Sequence, residues 1–389
     1  MQKTKKSTAF FERGSWYHRT KTIQSDGTVK YGKKGGFKTQ EEAEESYKKY
    51  SEEFTEKTKV KKELNSNMLL TEYLIYWFEE IYRNKVESST QTLGIYVLYK
   101  LILPSITEKR KLKTITTEYI NYLLEKISKI SYIGANKSRE MLNQALQVIT
   151  GICINDNPVT KAKKYARKRK EMQLLNKEQL KILLEVASNE GWYLEILLGL
   201  FCGLTKGEIL GLKFQDFDLE KGIINIERKM VIDSTIEKDE QVNKLKVVKY
   251  NEVTRTLDNI NAYRKFKVPN IIIAELSKRK KFVDCWKSIN KNYIDNDYVS
   301  CRNNGQQHSL SSLNAYLKKL CIKNSLPIIT VNGLRQIFAV ILLQHKISLV
   351  KISALLGHSS VNTTFEYLYD AIGKNKEIMY FINEKFCWK

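Results

Sequence analysis

The sequence predicts a mainly α fold with small β-sheets, an α+β chain, on three observations. Long stretches repeat apolar residues at helical spacing, strand-like alternation is confined to short segments, and Gly (18) and Pro (4) are scarce among 389 residues. At 42% apolar and 28% charged, the composition is neither disordered nor collagen-like, and the length allows two or three domains. Lys and Arg number 66 against 43 Asp and Glu, a net charge of +23 that favours a polyanionic partner, nucleic acid before a membrane surface.

The first module spans 1–62. Ten of its first 38 residues are basic, and G-S-W-Y-H-R-T-K-T-I-Q-S-D-G-T-V-K-Y-G-K-K-G-G-F alternates aromatic, β-branched and basic side chains around the turn signal Asp26-Gly27. That pattern predicts a small three-stranded antiparallel sheet. Thr39 then precedes an acidic first turn, with Ala43, Tyr47, Tyr50 and Phe54 at helical spacing. On the sheet, Trp16, Tyr17, Arg19, Lys21, Lys33 and Lys34 read either as sheet packing or as a face that enters a DNA groove. His18, His308 and His345 have no partner pattern and read as structural or surface residues.

From 68 to 158 the chain predicts four amphipathic helices, the first with Leu70, Tyr73, Leu74, Trp77 and Ile81 on one face and the others near 90–103, 116–129 and 136–154. Pro104 and the S-Y-I-G run at 131–134 mark breaks. Residues 159–173 form a basic linker: seven of the ten residues 161–170 are basic. Lys161, Lys163, Lys164, Arg167, Lys168 and Arg169 are its candidates for neutralising phosphates.

Residues 174–389 open on Asn176 as a helix cap, with Gln179 three residues on and Leu180, Leu183, Leu184 and Val186 behind it. Helix is expected through Leu210. Strands are expected at 222–228 and around 265–269, and helices near 270–282, 309–323, 332–345, 348–356 and 360–373. The longest apolar stretch, Tyr193 to Leu204, is interrupted by Glu195 and is shorter than the roughly 20 residues a membrane span needs. No membrane association is expected. The N-terminus has no secretory pattern, so a cytoplasmic location is expected. Cys153, Cys202, Cys285, Cys301, Cys321 and Cys387 form no C-x-x-C pair, so buried reduced thiols are expected, with no metal and no cofactor. Phosphate-loop, dinucleotide, nucleophile-elbow and zinc-protease signatures are absent.

Chemistry concentrates near the C-terminus. L-L-G-H-S-S-V-N-T-T-F-E-Y at 355–367 places His358 and Tyr367 nine residues apart, and Arg335 lies 23 residues before His358. This set resembles the C-terminal signature of the tyrosine recombinases, the phage and transposon integrase family. The segment 203–218, G-L-T-K-G-E-I-L-G-L-K-F-Q-D-F-D, is similar to that family's first box, with Glu208 in place. Taken alone, Tyr367 reads as a core aromatic, His358 as a helix cap and Arg335 as an ion-pair partner; their joint order and spacing carry the resemblance.

The resemblance implies a metal-free strand exchange, in which Tyr367 attacks a scissile phosphate and forms a 3′-phosphotyrosyl bond. Arg335 would neutralise the nonbridging oxygens, His358 would add a donor, and a hairpin lysine would protonate the departing 5′ oxygen. Three positions depart from the pattern. Thr205 stands where the first box has arginine, with Lys206 beside it; Asn332 stands where the second box has histidine; and D-N-I-N-A at 258–262, where the lysine is expected, contains none. Lys206, Asn332 and a lysine of the 244–249 run are the substitute contributors, whereas Lys265 and Lys267 are out of register. Each missing charged donor costs on the order of 10²–10³ in rate.

The implied protein is a DNA integrase of a mobile element. It would have an arm-site module (1–62), a helical core-site domain (68–158) and a catalytic domain (174–389), and would act on double-stranded DNA at element ends. A homo-tetramer on DNA is implied, with Phe386 and Trp388 as C-terminal anchors, together with an accessory DNA-bending or excision factor. A non-catalytic DNA-binding remnant occupying recombination sites is the alternative, and RNA binding through the N-terminal sheet a third.

Overall fold

A computed structural model describes residues 8–23, 29–63, 65–166, 174–239, 244–257 and 259–372. The chain divides into two compact units: Met1–Lys168 with Ile236–Val248, and Arg169–Thr235 with Lys249–Lys389.

The first unit begins with the antiparallel sheet β1 (Ala9–Glu12), β2 (Ser15–Ile23) and β3 (Val29–Phe37). Helix α1 (Gln40–Glu63) follows, its start fixed where Thr39 Oγ1 accepts from the Glu42 amide at 3.2 Å. Buried His18 joins sheet to helix: its ring hydrogen-bonds Ser46 Oγ at 3.1 Å and packs against Phe37, Tyr47 and Tyr50. Asp26-Gly27 and the side chain of Phe54 lie outside the described residues.

The four-helix expectation holds with shifted ends. Helix α2 (Leu70–Tyr76) widens into a π-helical turn, Trp77–Tyr82, and buries Leu70, Tyr73, Leu74, Trp77 and Ile81. Helix α3 (Ser88–Tyr96) runs through a second π-turn, Val97–Ile102, into the short α4 (Leu103–Ser105), so Pro104 lies within the last turn and the helix ends just after it. Helices α5 (Thr117–Ile130) and α6 (Tyr132–Ile149) complete the set. The expected break at 131–134 contracts to Ser131, whose hydroxyl accepts from the Gly134 amide at 3.0 Å and caps α6.

The second unit holds α7 (Lys177–Ala187), α8 (Tyr193–Phe201) and α9 (Lys206–Gly211). Asn176 and Gln179 form the expected capping box. Strands β4 (Phe217–Asp218), β5 (Ile223–Ile226) and β8 (Arg264–Lys267) make an antiparallel sheet. Between β5 and β8 runs a long two-stranded ribbon, β6 (Arg228–Asp239) and β7 (Lys244–Thr256), which the sequence reading had not anticipated. The ribbon's far part, Ile236–Val248, belongs to the first unit, where Leu245 enters the core and Lys238 Nζ lies 2.7 Å from Glu79.

Helices α10 (Asn270–Ile289), α11 (Ser312–Lys323), α12 (Val331–Gln344), α13 (Leu349–Leu356) and α14 (Val361–Ile372) follow, α10 outrunning its expected end by two turns. Apolar α8 is the centre of this unit, buried from Leu194 to Leu200 and packed with Leu334 and Ile337 of α12. This accounts for the longest apolar stretch, and no described helix is long and apolar enough to cross a membrane. Among the described cysteines, Cys153, Cys202, Cys301 and Cys321 are buried and free; Cys285 corrects the expectation, being exposed on α10. Cys387 lies outside the described residues.

Glu195, the one charge within α8, is 1% exposed and forked by Arg279 of α10 at 2.7 and 3.1 Å, with Ser300 Oγ donating at 2.5 Å. Removing one member of such a pair strands the other charge, which costs about 3–5 kcal/mol. Glu195→Ala should therefore lower the melting temperature of the second unit in calorimetry, while the Glu195→Met/Arg279→Met pair should recover most of the loss.

Candidate active site

Three segments of the second unit converge on one carboxylate. Glu208 is held by the start of α9, where the Thr205 amide and hydroxyl donate to its Oε2 at 2.7 and 2.9 Å and Thr205 Oγ1 accepts from the Glu208 amide at 3.3 Å. Thr205 thus spends its side chain as a helix cap. Lys206, the first residue of α9, is exposed.

Two arginines meet that carboxylate. Arg264 of β8 approaches Oε1 with Nη1 at 2.6 Å, and Arg335 of α12 brings its Nη1 to 3.6 Å from Oε2. The side chains of all three are buried, at 6–7% exposure. Burial would raise the Glu208 carboxyl, but the hydrogen bond and charge of Arg264, with the charge of Arg335, outweigh it and hold the group below the usual carboxylate range. Arg335 is fixed further by donating to Gly203 O at 2.8 Å and Leu356 O at 2.6 Å, tying the α8–α9 turn and the C-terminal end of α13 to α12. A cation suits that helix end.

Arg264 was not foreseen. Its strand pairing places Arg264 opposite Ile226 and Phe266 opposite Ile224, so both share the face that Ile224 and Ile226 bury. Lys265 and Lys267, on the alternate face, are exposed. The signal was available in R-K-F-K-V-P: with Phe266 pointing inward, position 264 must share its face. None of the proposed lysine substitutes occupies Arg264's place. In the 244–249 run, Lys246 pairs with Asp239 at 3.0 Å, and the 259–262 turn carries no lysine.

Past α13, Gly357 adopts the left-handed φ of +71° and closes the helix. A Cβ at this position would stand 3.0 Å from Arg264 Nη1 and 3.2 Å from the Ala262 Cα, so glycine is required both by the turn and by the arginine beneath it. The next residue, His358, accepts at Nδ1 from Thr364 Oγ1 at 2.8 Å in the tautomer that leaves Nε2–H as a donor. Its ring lies edge-on to Tyr367, centroids 5.6 Å apart. Tyr367 of α14 donates its hydroxyl to Asn332 O at 3.0 Å and Asn332 Oδ1 at 3.2 Å. Asn332 therefore touches the tyrosine oxygen directly. Burial raises the Tyr367 phenol above its ordinary range, and the charge of Arg335 offsets only part of this, so the resting side chain is the protonated phenol. A cleft of about 510 Å³ opens beside the group, lined by Arg264, His358, Ser359 and Ser360 among others.

Arg335, His358 and Tyr367 are thus brought together as their spacing predicts. The arrangement offers a phenolic oxygen, a neutral imidazole donor and two guanidiniums, a set suited to a phosphodiester, and there is no group of three or more metal-ligating side chains among the described residues.

The predicted DNA-binding residues of the first unit divide by sheet face. Tyr17, Arg19, Lys21, Tyr31 and Lys33 share the face opposite His18, with Lys21 over the Tyr31 ring at 5.7 Å and Lys33 over Tyr17 at 5.2 Å. Lys33 also pairs with Glu12 at 2.6 Å, while Lys34 lies across from His18 and is exposed. Trp16 packs edge-on against Phe11. A side chain on Gly35 would overlap the Tyr17 ring at 1.9 Å, so glycine lets that ring lie flat across β3. The basic run is pinned where it begins: Arg139 of α6 donates to Val159 O and Ala162 O, and Asn136 exchanges hydrogen bonds with Tyr165. Lys161, Lys163 and Lys164 are exposed there, and Arg167, Lys168 and Arg169 lie outside the described residues.

The sequence model of the phage integrase family matches residues 173–372. A curated relative, "Tyrosine recombinase XerC-like" of Caldanaerobacter subterraneus subsp. tengcongensis, is 27% identical over 210 residues, 53% of this chain and 52% of that protein. The chain thus spans about half the length of this curated relative. Among solved structures, the Tn1549 transposon integrase in complex with transposon right end DNA matches at a TM-score of 0.64 and 15% identity, over 82% of this chain and 100% of that one. A lambda integrase dimer bound to a COC′ core site matches at 0.56 and 16%, over 95% and 97%. At these identities the likeness is one of fold.

Burial, with Arg335 and Arg264 close by, pushes His358 down to about 4. In the unfolded chain the imidazole takes a proton near pH 6.5, so stability from this residue is lost as pH falls from there toward 4. The His358 ring resonances, identified by their loss in His358→Gln, should stay those of neutral imidazole from about pH 8 to 5.

Proposed function

The chain belongs to the phage integrase family, and from that premise we propose that it is a site-specific DNA recombinase acting through a phosphotyrosine intermediate. The observation that carries the reading is the joint placement of Tyr367, Arg335 and His358 in one cluster, with the tyrosine oxygen held at Asn332. In the step proposed, Tyr367 Oη bonds to phosphorus and loses its proton as the bond to the 5′ oxygen breaks and that oxygen gains one. The reverse step rejoins the strand, so neither water nor an external energy source is consumed. Arg335 neutralises charge growing on the nonbridging oxygens, and His358 Nε2–H adds a hydrogen bond to the same group.

The partner proposed is double-stranded DNA at the ends of a mobile element. The face of Tyr17, Arg19, Lys21 and Lys33 would take arm-type sites, and the rest of the chain would take core sites, with Lys161, Lys163 and Lys164 on phosphates. Assembly as a tetramer on DNA, with an accessory DNA-bending factor, belongs to the same proposal. Two observations favour the second reading, a DNA-binding remnant: Thr205 is consumed as a cap, and the turn at 259–262 lacks a lysine.

A denaturing gel separates the two. The full chain is incubated with nicked duplex selected for binding from a random-sequence pool, the nick placed at successive positions. A recombinase gives a covalent adduct that Tyr367→Phe abolishes while leaving the noncovalent gel shift. A shift at every position without an adduct would establish the remnant. In either case binding should weaken steeply between about 50 and 200 mM salt.

A further inference from the structure

The pocket contains a charge that the proposed reaction does not yet use. Arg264 donates through Nη1 to Glu208 Oε1 at 2.6 Å and to Ala262 O at 3.0 Å. Its Nε and Nη2 are shut off from water and have no hydrogen-bond partner among the described residues. Leaving charged donors buried and unpaired is costly, and the cost is offset when a ligand brings the acceptor. The side chain is only 6% exposed and lines the same cleft as His358, Ser359 and Ser360. It also shares a carboxylate with Arg335, so the two guanidiniums are held together at Glu208. Thr205, by contrast, is one neutral donor already bonded to Glu208.

We propose that Arg264 supplies the second phosphate-binding guanidinium of this site, in place of the residue at position 205. Nε and Nη2, the free edge of the fork, would donate to a nonbridging oxygen of the scissile phosphate while Nη1 stays on Glu208. Of the basic residues on β8, Arg264 alone points to the buried face, and the left-handed turn at Gly357 leaves room for it without a side chain in the way. The same clamp from another strand explains how the chain can dispense with an arginine on α9. This rests on the recombinase reading, and two arms distinguish its failure from that of the reading.

In the first arm, the full chain labelled with ¹⁵N-arginine is titrated with inorganic phosphate. The Arg264 Nε–H resonance, assigned by its loss in Arg264→Lys, should shift saturably, and Arg264→Lys should weaken phosphate binding at least about tenfold. The second arm follows adduct formation on the nicked duplex. Arg264→Ala should slow it by about 10²–10³ at saturating DNA while the circular dichroism stays that of the parent. Adding Thr205→Arg to Arg264→Ala should recover at least about tenfold, a rescue that loss of mere packing would not give. Adduct formation by Arg264→Ala at the parental rate, or a phosphate isotherm indifferent to Arg264→Lys, overturns the proposal. If the parent forms no adduct but binds phosphate through Arg264, the recombinase reading falls and the anion-binding role of Arg264 stands.

Discussion

Glu208 is the constraint on which the pocket around Arg335 and Tyr367 depends. Two guanidiniums cannot share a buried volume without a counter-charge, because burial strips the water that would screen their repulsion. The carboxylate between Arg264 and Arg335 supplies it, and the helix cap at Thr205 fixes where that carboxylate sits. From there the placement of other elements follows. Arg335 draws the Gly203 and Leu356 carbonyls to α12, the second of these sets the end of α13, and the turn at Gly357 delivers His358 and then α14. A local choice at a helix N-terminus therefore organises groups spread from position 203 to 367.

Much of this was legible in the sequence, for identifiable reasons. Asn176 with Gln179, Thr39 before an acidic turn, and the Leu70–Ile81 stripe are short-range signals that the structure keeps. Arg335, His358 and Tyr367 could be picked out because their spacing is a property of three consecutive helices. Thr205 was legible as a departure but not as a cap, although the T-x-x-E pattern with Glu208 is the capping-box signature.

What escaped notice depended on pairing between distant segments. Arg264 faces inward only because β8 pairs with β5 in a register that sets it opposite Ile226. Strands β6 and β7 pair with each other and carry charged residues such as Lys229, Glu237, Lys246 and Glu252 along most of their length, so their hydrophobic alternation is weak. The break expected at 131–134 contracts for another reason: Ser131 both ends one helix and caps the next, so no loop is needed between them.

The ribbon tip has a consequence for how the chain is made. Ile236–Val248 completes the first unit, with Leu245 in its core, yet a ribosome delivers those residues only after residues 169–235. The N-terminal unit therefore cannot finish folding while it is the only part synthesised, and its core waits on a contact of high sequence separation. A chain cut after residue 168 would carry an incomplete core and a chain begun at 169 an orphaned ribbon tip. The two units are separate as compact bodies but not as products of translation.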